Sequence, residues 1–169
     1  ALHAREGEGF AAYLPMDGFH LSQARLRELG LRDRMGAPQT FDSAGFARTV
    51  AAVAGDATAG VVAPGFDRVV EEAVPGAVVI AAGTAIVVAE GNYLLLPEGD
   101  WAVARRDMSQ IWLVELDEPT RLARLLARHV AFGKTPEAAQ EWIARVDQPN
   151  AELVGAHADG ADLIVVAGS

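Results

Sequence analysis

Phe10-Ala11-Ala12-Tyr13-Leu14-Pro15-Met16-Asp17-Gly18-Phe19-His20 is an apolar run that ends in an acid, a glycine and a histidine. The run predicts a buried strand over Phe10–Met16, with Asp17 at its C-terminal tip. An open α/β sheet places its functional groups at such tips, and Gly18 allows close approach. A second tip of the same kind follows, where Ala85-Ile86-Val87-Val88-Ala89 runs into Glu90-Gly91-Asn92-Tyr93. Two strand-end acids in one short chain suit a base and a metal-organising carboxylate, the equipment of phosphoryl transfer. Asp17 is placed to accept a proton from an attacking hydroxyl, and Glu90 to hold Mg²⁺ directly or through water. The plainer alternatives are a turn or cap aspartate and a solvated strand-exit glutamate. His20 either caps or packs.

Outward from these tips, strands alternate with helices. Leu21–Leu29 has helical spacing and Gly30 stops it. Arg32–Asp42 is a polar loop, and Asp42 or Ser43 can cap a helix to about Ala54. Pro64-Gly65-Phe66-Asp67-Arg68 reads as irregular, with Arg68 free to pair with Glu71 or Glu72. Ala77–Ala81 is a short strand in a hairpin. Ile86–Ala89 and Ile111–Leu116 are buried strands of parallel type. Pro119 opens a helix to about Phe132, Gly133 stops it, and another helix covers Pro136–Val146. Leu163–Val166 is the last strand. This order means α/β with a mostly parallel sheet. Before the first strand, Ala1–Glu6 reads like the tail of a helix, with Gly7 and Gly9 as terminators.

Arg121, Arg124 and Arg128 fall at i, i+3 and i+7, one face of the Pro119 helix, with His129 after them. A solvated face is the common origin of such a row. Upstream acids here are only Asp117 and Glu118, and an unpaired guanidinium row suits an anionic ligand. Gly133-Lys134-Thr135 imitates the end of a phosphate-binding loop. It fails as one, because G-x-x-x-x-G-K-[ST] needs glycine where Arg128 stands, and a helix precedes it rather than a strand. Lys134 is the only lysine in the chain.

Length and composition set outer limits. One domain is the default for 169 residues. Hydrophobic residues are 51% and charged residues 22%, enough for a core and too ordered for a disordered chain. A net charge of −9 argues against nucleic acid and anionic membranes as partners. No apolar stretch reaches the roughly 18 residues of a membrane span, and no signal peptide opens the sequence. Cysteine is absent, which removes disulfides and thiolate metal sites and is compatible with a cytoplasmic protein.

Six segments together resemble one family. They are Pro15–Leu21, Gly36–Asp42, Pro64–Arg68, Glu90–Leu96, Arg128-His129 and Asp147-Gln148-Pro149-Asn150-Ala151. In this order they are similar to the uridine kinase, phosphoribulokinase and pantothenate kinase group of P-loop kinases, above all its bacterial nucleoside/nucleotide or sugar kinase-like branch. The resemblance implies a P-loop NTPase-like three-layer α/β sandwich, with one domain over 1–169 and a lid over about 119–150. It implies ATP and Mg²⁺ as cofactors and phosphorylation of a hydroxyl on a small metabolite such as a sugar, a nucleoside or a pantothenate-like acid. Asp17 would be the base, Glu90 the Walker-B-like acid on Mg²⁺, and Arg124 and Arg128 lid residues at the phosphates, with Arg128 catalytic. His20, Arg68, Asn92 and Tyr93 would face the acceptor, and Asn150 the nucleotide. The partner would be a small-molecule acceptor, with room for a homodimer.

One departure stands out. Family members begin with a strand, a Gly-rich loop and a helix ahead of the segment matching Phe10–Asp17, and no such loop occurs in these 169 residues. The simpler expectation is a native protein that continues upstream. The alternative is a binding or regulatory domain that has lost the loop. Without the first strand, a gap or a non-family pairing is expected between the Ile86–Ala89 and Ile111–Leu116 strands. A third alternative, hydrolase or transferase chemistry on Asp17, Glu90 and His129, lacks a G-x-S-x-G nucleophile.

Overall fold

The computed structural model describes residues 9–55 and 58–167. The expected helix tail at Ala1–Glu6 lies outside the described residues. The chain divides into two compact units, Ala1–Ser109 and Gln110–Ser169.

The first unit is organised by β1 (Ala11–Pro15) and β4 (Ile86–Glu90), a parallel pair in which Tyr13 is opposite Val88 and Pro15 opposite Glu90. Directly opposed residues share a face, so alternation sorts the pair into two sides. Leu14 is buried at the centre of one side. The other carries Tyr13, Ile86, Val88 and Glu90, all exposed. The expected fully buried strand is therefore half-buried, with one face packed and one open.

Between these strands the chain makes α1 (Gln23–Glu28), α2 (Ser43–Ala54) and an antiparallel hairpin of β2 (Val61–Asp67) and β3 (Glu72–Ile80). Asp42 caps α2 by accepting from the Gly45 N–H at 2.8 Å. Phe46, Ala47 and Val50 form its buried face. The Pro64-Gly65 segment, expected to be irregular, is part of β2. Register shifts between Ala63 and Gly65, and a bulge is where a strand tolerates proline, which cannot donate to the ladder. Helix α3 (Gly99–Arg106), not apparent in the sequence, delivers Trp101 to a cluster with Phe41, Phe46 and Tyr93. Phe19 joins it edge-on through Phe46, ring centroids 5.2 Å apart.

The second unit holds β5 (Trp112–Glu115) paired parallel with β6 (Leu163–Val166), and the helices α4 (Glu118–Ala131), α5 (Pro136–Trp142) and α6 (Gln148–Gly155). Asp117 caps α4 through the Thr120 N–H at 3.0 Å. A π-helical turn, Ile143–Asp147, joins α5 to α6, so helical structure continues past the expected end at Val146. Pro149 is tolerated because it falls in the first turn of α6. Among the described residues β4 is laddered only to β1 and β5 only to β6. No helix among the described residues is long and apolar enough to cross a membrane.

Candidate active site

The parallel register brings the two strand-end acids together. Glu90 is the last residue of β4, opposite Pro15, and Asp17 follows in a tight 3₁₀ turn, Met16–Phe19. Two glycines permit this. A Cβ on Gly18 would stand 2.1 Å from the Pro64 carbonyl oxygen, and one on Gly91 would stand 2.5 Å from the Met16 Cβ. The first lets the Asp17 turn touch the β2 bulge, and the second lets the β4 exit pass under buried Met16.

Among the described residues each acid has one side-chain partner. Arg68 Nη2 donates to Asp17 Oδ2 at 2.8 Å, where the sequence pointed to Glu71 or Glu72. Glu71 instead accepts from Arg32 at 2.7 Å. Glu71 has φ of +53°, a left-handed conformation unusual for a glutamate. It is held there by Gln23, whose Nε2 donates to the Glu71 carbonyl at 2.9 Å while its backbone N–H donates to Glu72 at 3.0 Å. These bonds tie the hairpin turn to α1 and so aim Arg68 at Asp17. Tyr13 donates its hydroxyl to Glu90 Oε2 at 2.8 Å. The Tyr13 phenol is pushed up to about 12, first by partial burial, then by the Glu90 bond and charge, then by the Asp17 charge. It stays a donor at any physiological pH.

His20 lies against Phe41 and Phe66, with ring centroids at 4.0 and 4.8 Å. Its Nδ1 is 2.9 Å from the Asp17 carbonyl. A carbonyl only accepts, so Nδ1 carries the proton and Nε2 keeps a lone pair. Burial pushes the His20 pKa below 6.5; the Asp17 carbonyl and carboxylate oppose this and Arg68 adds to it. A cleft of about 500 Å³ opens here, lined by Gly18, His20, Asp42, Arg48, Thr49 and Pro64 among others. Asn92 is exposed in the turn after β4. Tyr93 is fully buried, with its hydroxyl on the Gly36 carbonyl. It braces the Gly36 loop from inside the aromatic cluster and offers no surface to a ligand.

The arginine row lies in the second unit and is less uniform than its spacing suggests. Arg121 is engaged, with Glu118 at 3.7 Å and a hydrogen bond to Gln148. Arg124 is exposed and lies in the field of Asp117. Bonds to Thr120, more than Arg124, hold the Asp117 carboxyl below its usual range. Arg128 is exposed on α4. His129 Nε2 is 2.7 Å from Asp147 Oδ2, joining α4 to the π turn. That bond fixes the His129 ring against the π turn. Asn150 is half-buried in α6.

Among the described residues no group of three or more His, Cys, Asp or Glu could hold a metal ion. A protein-enclosed cation is therefore not built here. Mg²⁺ on a nucleotide needs less, one or two carboxylates beside phosphates and waters. Glu90, with one oxygen bonded to Tyr13 and Asp17 on the neighbouring tip, fits that donor set.

No protein-family profile matches the chain. It is 37% identical over 146 residues to the ATP-dependent kinase-like protein notR′ of Aspergillus versicolor, a match covering 81% of this chain and 85% of that protein. It is 35% identical over 155 residues to the uncharacterized protein YggC of Escherichia coli K12, covering 90% of this chain and 62% of YggC. Its fold superposes with a TM-score of 0.83 and 34% identity on the crystal structure of a candidate fructose transport system kinase from Silicibacter sp. TM1040, covering 91% of this chain and 74% of that one. YFH7 of Saccharomyces cerevisiae, a candidate P-loop kinase with a circular permutation, shares the fold alone, with a TM-score of 0.77, 24% identity and coverage of 94% and 58%. The α/β fold is that of the P-loop kinases, and the chain belongs to the ATP-dependent kinase-like family that includes notR′.

Proposed function

We propose that the protein takes part in ATP-dependent phosphorylation of a hydroxyl on a small metabolite, within the uridine kinase, phosphoribulokinase and pantothenate kinase group. The observation that carries this is the pairing of Asp17 and Glu90 on adjacent parallel strand tips, with Arg68 on Asp17 and a cleft that reaches Gly18 and His20, just after Asp17 in the chain. Asp17 is the base. It takes the proton as the acceptor oxygen bonds to the γ-phosphorus and the bond to the β-phosphate oxygen breaks, leaving ADP. Glu90 would hold Mg²⁺, which when bound offsets the charge of the transferring phosphate. Arg68, His20 and Asn92 address the acceptor, and of the three His20 lines the cleft. His20 supplies an acceptor lone pair from Nε2, and Arg68 orients the Asp17 carboxylate. Tyr93 serves this site from behind. Arg124, Arg128 and Asn150 belong to a lid over about 119–150 that answers to the nucleotide.

The test is a phosphorylation assay on the product of the intact gene, with labelled ATP and a panel of sugars, nucleosides and pantothenate-like acids. Transfer to one class, abolished by Asp17→Asn, supports the proposal. ATP binding without transfer to any hydroxyl compound would leave a binding or regulatory domain.

A further inference from the structure

We propose that Tyr13 is a positioning residue for Glu90. Its hydroxyl fixes Oε2 of the carboxylate and leaves Oε1 as the oxygen presented at the strand tip. The inference rests on the reading of Glu90 as the metal-organising acid.

The geometry is specific. Pro15 is opposite Glu90 in the parallel ladder, so Tyr13 is the diagonal neighbour on the same face. A diagonal neighbour is within reach of an aromatic side chain, and the 2.8 Å bond uses that reach. Glu90 makes no other hydrogen bond or ion pair among the described residues. Without Tyr13 its carboxylate would turn freely at the end of an exposed strand. A flexible glutamate loses rotamer freedom each time it binds. A glutamate already held by a phenol has lost it in advance, which is the usual role of an outer partner to a metal-binding carboxylate.

The test compares Tyr13→Phe, which removes only the hydroxyl, with Glu90→Gln in the product of the intact gene. Mn²⁺ binding in the presence of a non-hydrolysable ATP analogue is followed by electron paramagnetic resonance, and the Mg²⁺ dependence of turnover is measured beside it. Tyr13→Phe should raise the half-saturating concentration of both metals by roughly tenfold. Turnover at saturating metal should fall far less, and the melting temperature should hold. If Glu90→Gln shifts the Mn²⁺ midpoint and Tyr13→Phe does not, Tyr13 has no positioning role, while Glu90 keeps its own. If neither variant shifts it, the reading of Glu90 fails and the inference goes with it. A loss of thermal stability in Tyr13→Phe with an unmoved midpoint would make Tyr13 a structural residue.

Discussion

Gly18→Ala is the sharpest probe of how this site is assembled. Gly18 follows the proposed base and faces the β2 bulge. An added Cβ would meet the Pro64 carbonyl oxygen at 2.1 Å, the Pro64 carbonyl carbon at 2.6 Å and the Gly65 Cα at 3.1 Å. All three are backbone atoms, so no rotamer change relieves the contact. Restoring an ordinary contact requires the hairpin and the Asp17 turn to separate by roughly 1 Å. Overpacking of this kind costs about 1–3 kcal/mol, and a backbone collision belongs at the upper end. At 2–4 °C per kcal/mol for a chain of this size, melting should fall by roughly 6–12 °C. The same displacement pulls Arg68, which leaves the hairpin, away from Asp17. A misplacement of about 1 Å at a reacting centre costs on the order of 100-fold in rate. Gly155→Ala is the control, because nothing lies within 4 Å of its added Cβ and alanine suits a helix end. Differential scanning fluorimetry and turnover should be measured on both. If Gly18→Ala melts within about 2 °C of the wild type and keeps its rate, the hairpin does not depend on this approach.

Four further outcomes are expected. Asp17→Asn should lower kcat by roughly 100-fold or more with nucleotide affinity little changed; activity within a few-fold of the wild type would remove Asp17 from the mechanism. Arg128→Ala should weaken ATP binding, and that binding should fall with added salt; unchanged affinity and turnover would make the row a solvated face. Because burial lowers the His20 pKa, the unfolded chain binds the proton more readily. Stability is then complete above pH about 6.5 and is lost as pH falls through the folded value. Melting curves across pH should show this slope flattened in His20→Asn, and an identical slope in both proteins would rule it out. Finally, these 169 residues on their own should not turn over ATP, because they contain no Gly-rich loop and Lys134 follows a helix. Robust ATPase activity from them would overturn the P-loop mechanism and call for different chemistry on Asp17 and Glu90.

What the sequence revealed and what it hid divide along one physical line. Signals that act over a few residues were readable. Asp42 before a helical run meant a cap, Pro119 meant a first turn, and an apolar run ending in an acid meant a strand tip. Each corresponds to an observed element. Pro64-Gly65 misled because a lone proline and glycine usually break a strand. Here a bulge absorbs both, and it exists only through a partner strand beyond the turn, where Ala63 pairs with Val78 and Gly65 with Val74. Helix α3 was missed because Gly99 at its start and the charged residues at its end leave only a short apolar face. The site shows the same division. Asp17 and Glu90 could be picked out singly, but their partners could not. Arg68 had acids nearer in sequence, and only the Gln23 and Arg32 bonds to the Glu71 turn direct it to Asp17. Tyr13 looked like one more strand residue, because its bond spans 77 positions. Tyr93 looked like a ligand contact because the turn around it carries the motif, yet the aromatic cluster draws it inward. The acids are set by local pattern and their orientation by tertiary contacts, so a substitution such as Tyr13→Phe can alter this site while leaving every recognisable motif intact.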